Sequence, residues 1–281
     1  MGLIVKPPSW GKCTTNITGT PPAALSGVFG TAVVAGSSNI DGANAPVLTN
    51  LSHDVEMLVI VPRNFAVTGG NGSCALDILV DPTGSTNFTV PLINDLLVGQ
   101  VQLSVAPPMR YYFPIWLPAG CSIGARAKTA HTANITGDLL VYAMGDNANP
   151  GSWWCGQTVT SIGTSSTLSH GVNHTPGNSG VYSTWTNFGD VTPAPTGAVQ
   201  FIAQGTNTDT TQAAAGYYFE FGVGGTRIGP NLVKLTTVAE TGGQFPGGPV
   251  FCSCSSGMQF QVRATCSSNA EILDVAAYVV S

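Results

Sequence analysis

Gly120-Cys121-Ser122-Ile123-Gly124-Ala125-Arg126-Ala127 and Gly257-Met258-Gln259-Phe260-Gln261-Val262-Arg263-Ala264 are two copies of one segment. The spacing from Gly120 to Gly257, and from Arg126 to Arg263, is the same 137 residues. Each copy runs on through Ala133 or Ala270, Ile135 or Ile272, Asp138 or Asp274 and Tyr142 or Tyr278, where the spacing closes to 136 after a one-residue deletion. Ile123/Phe260 and Ala125/Val262 take alternate positions and Arg126/Arg263 the other strand face, the period of two expected of a strand. A long segment that recurs once at a fixed interval indicates two units of one fold.

Working outward, strand-like segments of the same character precede each copy. Val55-Glu56-Met57-Leu58-Val59-Ile60 aligns with Val199-Gln200-Phe201-Ile202-Ala203, and Leu76-Asp77-Ile78-Leu79-Val80 with Phe219-Glu220-Phe221-Gly222-Val223. Thr31–Ala35, Leu139–Tyr142 and Val275–Val280 are further short apolar runs between turn formers. Asp81-Pro82-Thr83-Gly84 fits a turn with Pro second and Gly fourth. Asn269–Val280 has some helical character, but its copy contains Thr136 and Gly137, so it reads as a strand in both.

About eight short strands in each half predict an all-β chain of two tandem antiparallel β-sandwich domains, jelly-roll-like, with an immunoglobulin-like sandwich as the alternative topology. Residues 1–12 read as an extended N-terminal arm, with Pro7-Pro8 favouring polyproline conformation. Residues 13–148 form the first sandwich repeat and 149–281 the second. The joint, Gly145-Asp146-Asn147-Ala148-Asn149-Pro150-Gly151, is a run of turn formers too short for independent tumbling, so a fixed tandem is expected.

Only 8% of the 281 residues are charged, against about 25% in typical domains. A neutral, polar surface suits a protein packed against copies or partners, since a free monomer keeps more charge for solubility. The net charge is −5 and the nine Lys and Arg are scattered, which argues against nucleic acid as a partner. No stretch approaches the roughly 20 apolar residues of a membrane span, and the N-terminus lacks the layout of a secretory signal.

The residue patterns offer no catalytic constellation, cofactor-binding fingerprint or metal set. His170-Gly171-Val172-Asn173-His174 has i, i+4 spacing, but Gly171 and Pro176-Gly177 deny it a helix, leaving only a loop site. His53 and His131 have no neighbouring Cys or carboxylate cluster. Asp77 with Asp138 is one carboxylate pair that folding would have to assemble for glycoside chemistry. Arg126 and Arg263 are expected to pair locally, with Asp138 and Asp274 of the same repeat.

Among the seven cysteines, Cys252-x-Cys254 is too closely spaced for a zinc pair. The odd count leaves one thiol over for a disulfide between subunits, at a position the sequence does not identify. Aromatics gather at Trp153-Trp154, at Tyr111-Tyr112-Phe113 with Trp116, and at Trp185. Core packing or burial at the joint is the expectation for them; Trp153, Trp154 and Trp185 are the candidates for interface or glycan contact.

The stretch Tyr112-Phe113-Pro114-Ile115-Trp116-Leu117-Pro118-Ala119-Gly120-Cys121-Ser122-Ile123-Gly124-Ala125-Arg126 resembles a recurring segment of tailed-bacteriophage structural proteins: an aromatic-Pro-apolar strand, a Pro-Ala-Gly turn, then an apolar strand carrying Arg. The second copy keeps Gly257 and the strand with Arg263 but has Cys254-Ser255-Ser256 in place of Leu117-Pro118-Ala119. The resemblance implies a virion component assembled in the host cytoplasm, non-enzymatic and without cofactors. As a capsid decoration, collar or tail component it would act through symmetric contacts with copies of itself and other virion proteins. The alternative is a carbohydrate- or receptor-binding module using loop aromatics on a host-surface glycan. It requires exposed Trp beside polar groups in a shallow groove, where the first reading requires buried Trp at a contact.

Overall fold

A computed structural model describes residues 12–17, 29–65, 71–101, 110–145, 154–165, 170–192, 196–205, 215–229, 232–236, 242–243, 249–267 and 272–281. The arm, apart from Lys12, and the joint residues 146–153 lie outside the described residues. In the first half the strands are β1 (Lys12–Thr15), β2 (Thr31–Gly36), β3 (Ala45–Leu48), β4 (Met57–Arg63), β5 (Asn71–Asp81), β6 (Val90–Val101), β7 (Tyr111–Phe113), β8 (Ser122–Thr129) and β9 (Ile135–Gly145). The second half has β10 (Val159–Ile162), β11 (Val172–His174), β12 (Thr186–Val191), β13 (Thr196–Gly205), β14 (Ala215–Val223), β15 (Thr226–Arg227), β16 (Leu232–Thr236), β17 (Gly242–Gly243), β18 (Val250–Cys254), β19 (Gln259–Cys266) and β20 (Leu273–Val280). Within the ambiguous stretch before the C-terminus, Leu273–Val280 is a strand, β20, and 269–271 lie outside the described residues.

Most connections cross between two layers, with the β5–β6 hairpin of the first half staying in one. In the first half β2, β9, β4 and β7 are neighbours in one layer and β3, β8, β5 and β6 in the other. In the second half the corresponding rows are β10, β20, β13, β18 and β12, β19, β14, β16. This is jelly-roll connectivity. The immunoglobulin-like alternative is set aside by the strand order.

One strand ladder departs from the antiparallel expectation, and the isolated bridges Ile115 to Gly156 and Gly177 to Thr265 are parallel as well. Strand β2 runs antiparallel to β9 and then parallel to β8 through Ala35 and Gly36, which joins both layers of the first half into one nine-stranded sheet. Gly36, at the end of this contact, is packed against the turn that follows, where any side chain would collide with the Ile40 carbonyl. The second half keeps its two layers as separate sheets.

The ladders also correct one of the repeat alignments. Asp77 faces Arg126 and Glu220 faces Arg263, so Leu76–Val80 and Phe219–Val223 do correspond. Val59 faces Tyr142, however, and Gln200 faces Tyr278, so Val59 corresponds to Gln200 and the Val55-to-Val199 match is out by three residues. A strand that is apolar on both faces carries little period-two signal, so sequence alone could not fix its register.

Strand β20 is buried along its whole length. Leu273, Val275, Ala277 and Val279 join Phe201, Phe219, Phe221 and Phe260 in the second core. Ala276, Tyr278 and Val280, with Ala198 and Ile202 of β13, belong instead to the core of the first half. The β13–β20 sheet is thus a middle layer between its own partner sheet and the first sandwich. Tyr278 inserts between the layers there, edge-on to Tyr111 and Phe113 at 6.2 and 6.3 Å. Its hydroxyl accepts from the Leu97 N–H at 2.6 Å and donates to the Asp95 carbonyl at 3.0 Å. Asp95 has a φ of 52°, at a bulge in β6 that turns these backbone groups towards the second half. The halves are therefore welded by a shared core.

Candidate functional site

The repeated arginines have repeated partners, though not the expected ones. Arg126 Nε donates to Asp77 at 2.9 Å, and its other nitrogen reaches Asp41 at 3.2 Å. Arg263 binds Glu220 at 2.5 and 2.7 Å. Asp138 pairs instead with Arg63 at 3.3 Å and accepts from Asn64 and from the Phe29 N–H, while burial holds its carboxyl above the usual range. Asp274 lies opposite Gln204, which takes the position of Arg63. The correction has a simple cause: alternation shows which face Arg126 is on, and only the ladder shows that β5, not β9, lies beside it.

Lys128 is bonded to Asp95 at 2.7 Å and Arg227 to Glu220 at 3.5 Å, so among the described residues Arg63, Arg126, Lys128, Arg227 and Arg263 are all in ion pairs. Asp77 and Asp138 are each committed to a different arginine, so the structure does not offer them as a carboxylate pair.

Trp185 and Trp154 are in different surroundings. Trp185 is half-buried, lies across Gly222 and stacks on the Arg263 guanidinium at 4.7 Å, with Tyr182 at 5.0 Å from the same group. Arg263 is thereby held by one carboxylate and two rings. Trp154 is 46% exposed and covers Gly197, lining a surface groove of about 550 Å³ with Thr196, Phe251, Cys252 and Ser253. Trp153 lies outside the described residues. Trp116 is 44% exposed, so the expectation of burial holds for Tyr111 and Phe113 but not for Trp116 or Trp154.

Phe251 was not singled out by the sequence. It is 54% exposed beside Trp154. Its position in Val250-Phe251-Cys252 looks like a core strand, and only edge placement in β18 brings it to the surface.

His174 is in β11 and not a loop; it is buried, with Nε2 3.1 Å from Ser183 Oγ, and burial lowers its pKa to about 4. His170 Nδ1 contacts the Gly171 carbonyl at 2.7 Å. Among the described residues no three His, Cys, Asp or Glu side chains are grouped to hold a metal. Cys252 and Cys254 project their sulfurs within 3.8 Å of each other, and burial together with Cys254 pushes the Cys252 thiol up to about 12. Cys13 is exposed on β1.

No protein-family model and no curated protein matches the chain. Among solved structures, the chain is similar to the major capsid protein P2 of bacteriophage PM2, with TM-score 0.33, 9% identity, and 89% of this chain and 96% of that chain covered. A complex of the plant peptide RALF23 with FER and LLG2 gives TM-score 0.28 at 9% identity, covering 96% and 88%. The T=1 Penaeus vannamei nodavirus gives 0.26 at 10% identity, covering 89% and 95%. At such values the likeness carries no argument, and the jelly-roll assignment rests on the strand order alone.

Proposed function

We propose that this protein is a non-enzymatic structural component of a virion, a capsid decoration, collar or tail protein, that works through contacts with copies of itself and with other virion proteins. The observation that carries the reading is a set of large aromatic side chains left exposed although the two cores are already filled. Trp116, Trp154 and Phe251 are each about half exposed, and Trp116 is bonded through its backbone to Gly156, two residues from Trp154. Aromatic side chains gathered in this way act as anchors at protein contacts. A chain with only 8% charged residues, whose described Arg63, Arg126, Lys128 and Arg263 are tied to carboxylates, favours burial against a partner over free solution.

Electron microscopy of the assembly with which the native protein purifies tests this. Regular, symmetry-related copies support the reading, and a free monomer associated with no particle overturns it.

A second reading has one observation in its favour. Trp154 stands exposed beside Thr196 and Ser253 in a shallow groove, the arrangement a sugar ring requires. Titration with host polysaccharide, followed by Trp fluorescence of the protein and of a Trp154→Ala variant, separates the two. Saturable quenching lost in the variant favours the glycan.

A further inference from the structure

The repeat supplies an internal comparison of two equivalent sheet faces. In the first half Pro91, Leu79, Gly124 and Pro46 stand side by side on β6, β5, β8 and β3, an uncharged apolar row whose glycine is roofed by buried Phe88. In the second half the same row reads Arg227, Gly222, Gln261 and Asn187, on β15, β14, β19 and β12. Cross-strand partners project from one side of a sheet. Phe260 and Val262, which flank Gln261 in β19, point the other way into the second core. The row therefore faces away from the core, and at the spacing of neighbouring strands it spans roughly 14 Å.

The arginine sites next to the two rows have opposite sign. Arg126 stands between two carboxylates, Asp77 and Asp41. Arg263 and Arg227 instead share the single buried carboxylate of Glu220, Arg227 on Oε1 and Arg263 on Oε2. Among the described residues no other carboxylate reaches either guanidinium, so a chain of net charge −5 carries a local excess of one positive charge here. Glu220 takes Nε and Nη2 of Arg263 and Nη1 of Arg227, while Nε of Arg227 donates to the Gly229 carbonyl. The remaining nitrogens, Nη1 of Arg263 and Nη2 of Arg227, are left for a second anion. Tyr182 and Trp185 stack on the Arg263 guanidinium, which fixes its plane without using an N–H.

The rest of the row is amide. Asn187 Nδ2 donates to Gln259 Oε1 and Gln261 Nε2 donates to Asn187 Oδ1, both at 2.7 Å, with Asn187 exposed. Amide side chains offer donors and acceptors together, as sugar hydroxyls require, and a guanidinium matches a carboxylate. The row holds no apolar side chain of the kind that anchors a protein partner.

We propose that this face binds an extended acidic polysaccharide, with a sugar carboxylate on Arg227 and Arg263 and hydroxyls along Gln261 and Asn187. The inference goes beyond the subunit-contact reading and does not depend on it. The site also lies on a different sheet from the Trp154 groove.

Isothermal titration calorimetry tests it with alginate oligomers, a polyuronate, alongside dextran as a neutral probe and poly-L-glutamate as an acidic peptide. Wild-type protein is expected to bind alginate saturably, dextran not at all and polyglutamate more weakly than alginate. Arg227→Gln and Asn187→Ala alter exposed side chains outside both cores, so melting temperatures should stay at the wild-type value. Arg227→Gln is expected to weaken alginate binding tenfold or more, as for loss of a charge-assisted hydrogen bond, and Asn187→Ala by a smaller factor. Arg110→Gln removes an exposed arginine of the first half and should bind as wild type does. The site is overturned if wild-type protein does not bind alginate, if Arg227→Gln binds as wild type, if Arg110→Gln loses as much, or if polyglutamate binds as tightly. Symmetric copies on a particle together with no alginate binding would remove this site and leave the structural role standing.

Discussion

Within the shared core, the Tyr278 hydroxyl makes two hydrogen bonds to the backbone of the first half. Its removal in Tyr278→Phe leaves the ring between Tyr111 and Phe113 but strands the buried Leu97 N–H without its acceptor. A loss of about 1–3 kcal/mol is expected from urea denaturation, the cost of an unsatisfied buried donor. His174 gives a pH signature. Its folded pKa of about 4 lies below the 6.5 of an unhindered histidine, so the unfolded chain binds the extra proton between those values. Stability therefore falls as pH drops from about 6.5 towards 4, by up to about 3 kcal/mol, and this contribution changes no further below that. Denaturation midpoints across the window should flatten in His174→Gln, and an unchanged slope would show that other groups set it. At this scale the sequence was half legible. It placed Arg126 and Arg263 in equivalent positions, but their partners Asp77 and Glu220 are 49 and 43 residues away and are brought together only by the ladders. Trp exposure was illegible for a related reason, since a ring covering a glycine and a ring in a core have the same local sequence.

Strand glycines roofed by rings recur through the elements. Phe88 lies over Gly124 in β8, Phe65 over Gly137 in β9, Trp154 over Gly197 in β13 and Trp185 over Gly222 in β14. A glycine inside a strand weakens it, and a ring laid on the bare backbone restores the buried surface. The consequence of adding a methyl group depends on whether the ring can move. Phe65 is fully buried, so Gly137→Ala forces strain and should cost about 1–3 kcal/mol. Trp154 is half exposed and can swing outward, so Gly197→Ala should cost less and shift the tryptophan emission to the red. Equal costs in thermal melts would mean that the roof is not what distinguishes the sites. Most strands were visible as apolar runs between turn formers. The parallel β2–β8 contact was not, because it involves only the last two residues of a strand otherwise paired antiparallel and leaves no periodic trace.

For the whole molecule, the middle layer makes the second half dependent on the first. Residues 149–281 expressed alone would expose the face of Ala198, Ile202, Ala276, Tyr278 and Val280 to water, and should aggregate or melt well below the full chain. The full chain should give a single calorimetric transition, with a ratio of calorimetric to van't Hoff enthalpy near one. Two separated transitions would mean that the shared core contributes little. The tandem itself was readable from the repeat and the short joint. The weld was not, since the residues that form it are ordinary apolar strand positions, assigned to one core or the other only by the alternation along β20. That alternation also sets a timetable. Strand β20 is synthesised about 130 residues after β9 completes the first jelly roll, so during translation the earlier half must wait with Tyr111, Phe113 and the bulged edge of β6 uncovered. At ~5–20 residues per second the wait lasts roughly ten seconds, and crowded polysomes making this chain would bring many such unfinished edges together before any Tyr278 arrives to close them.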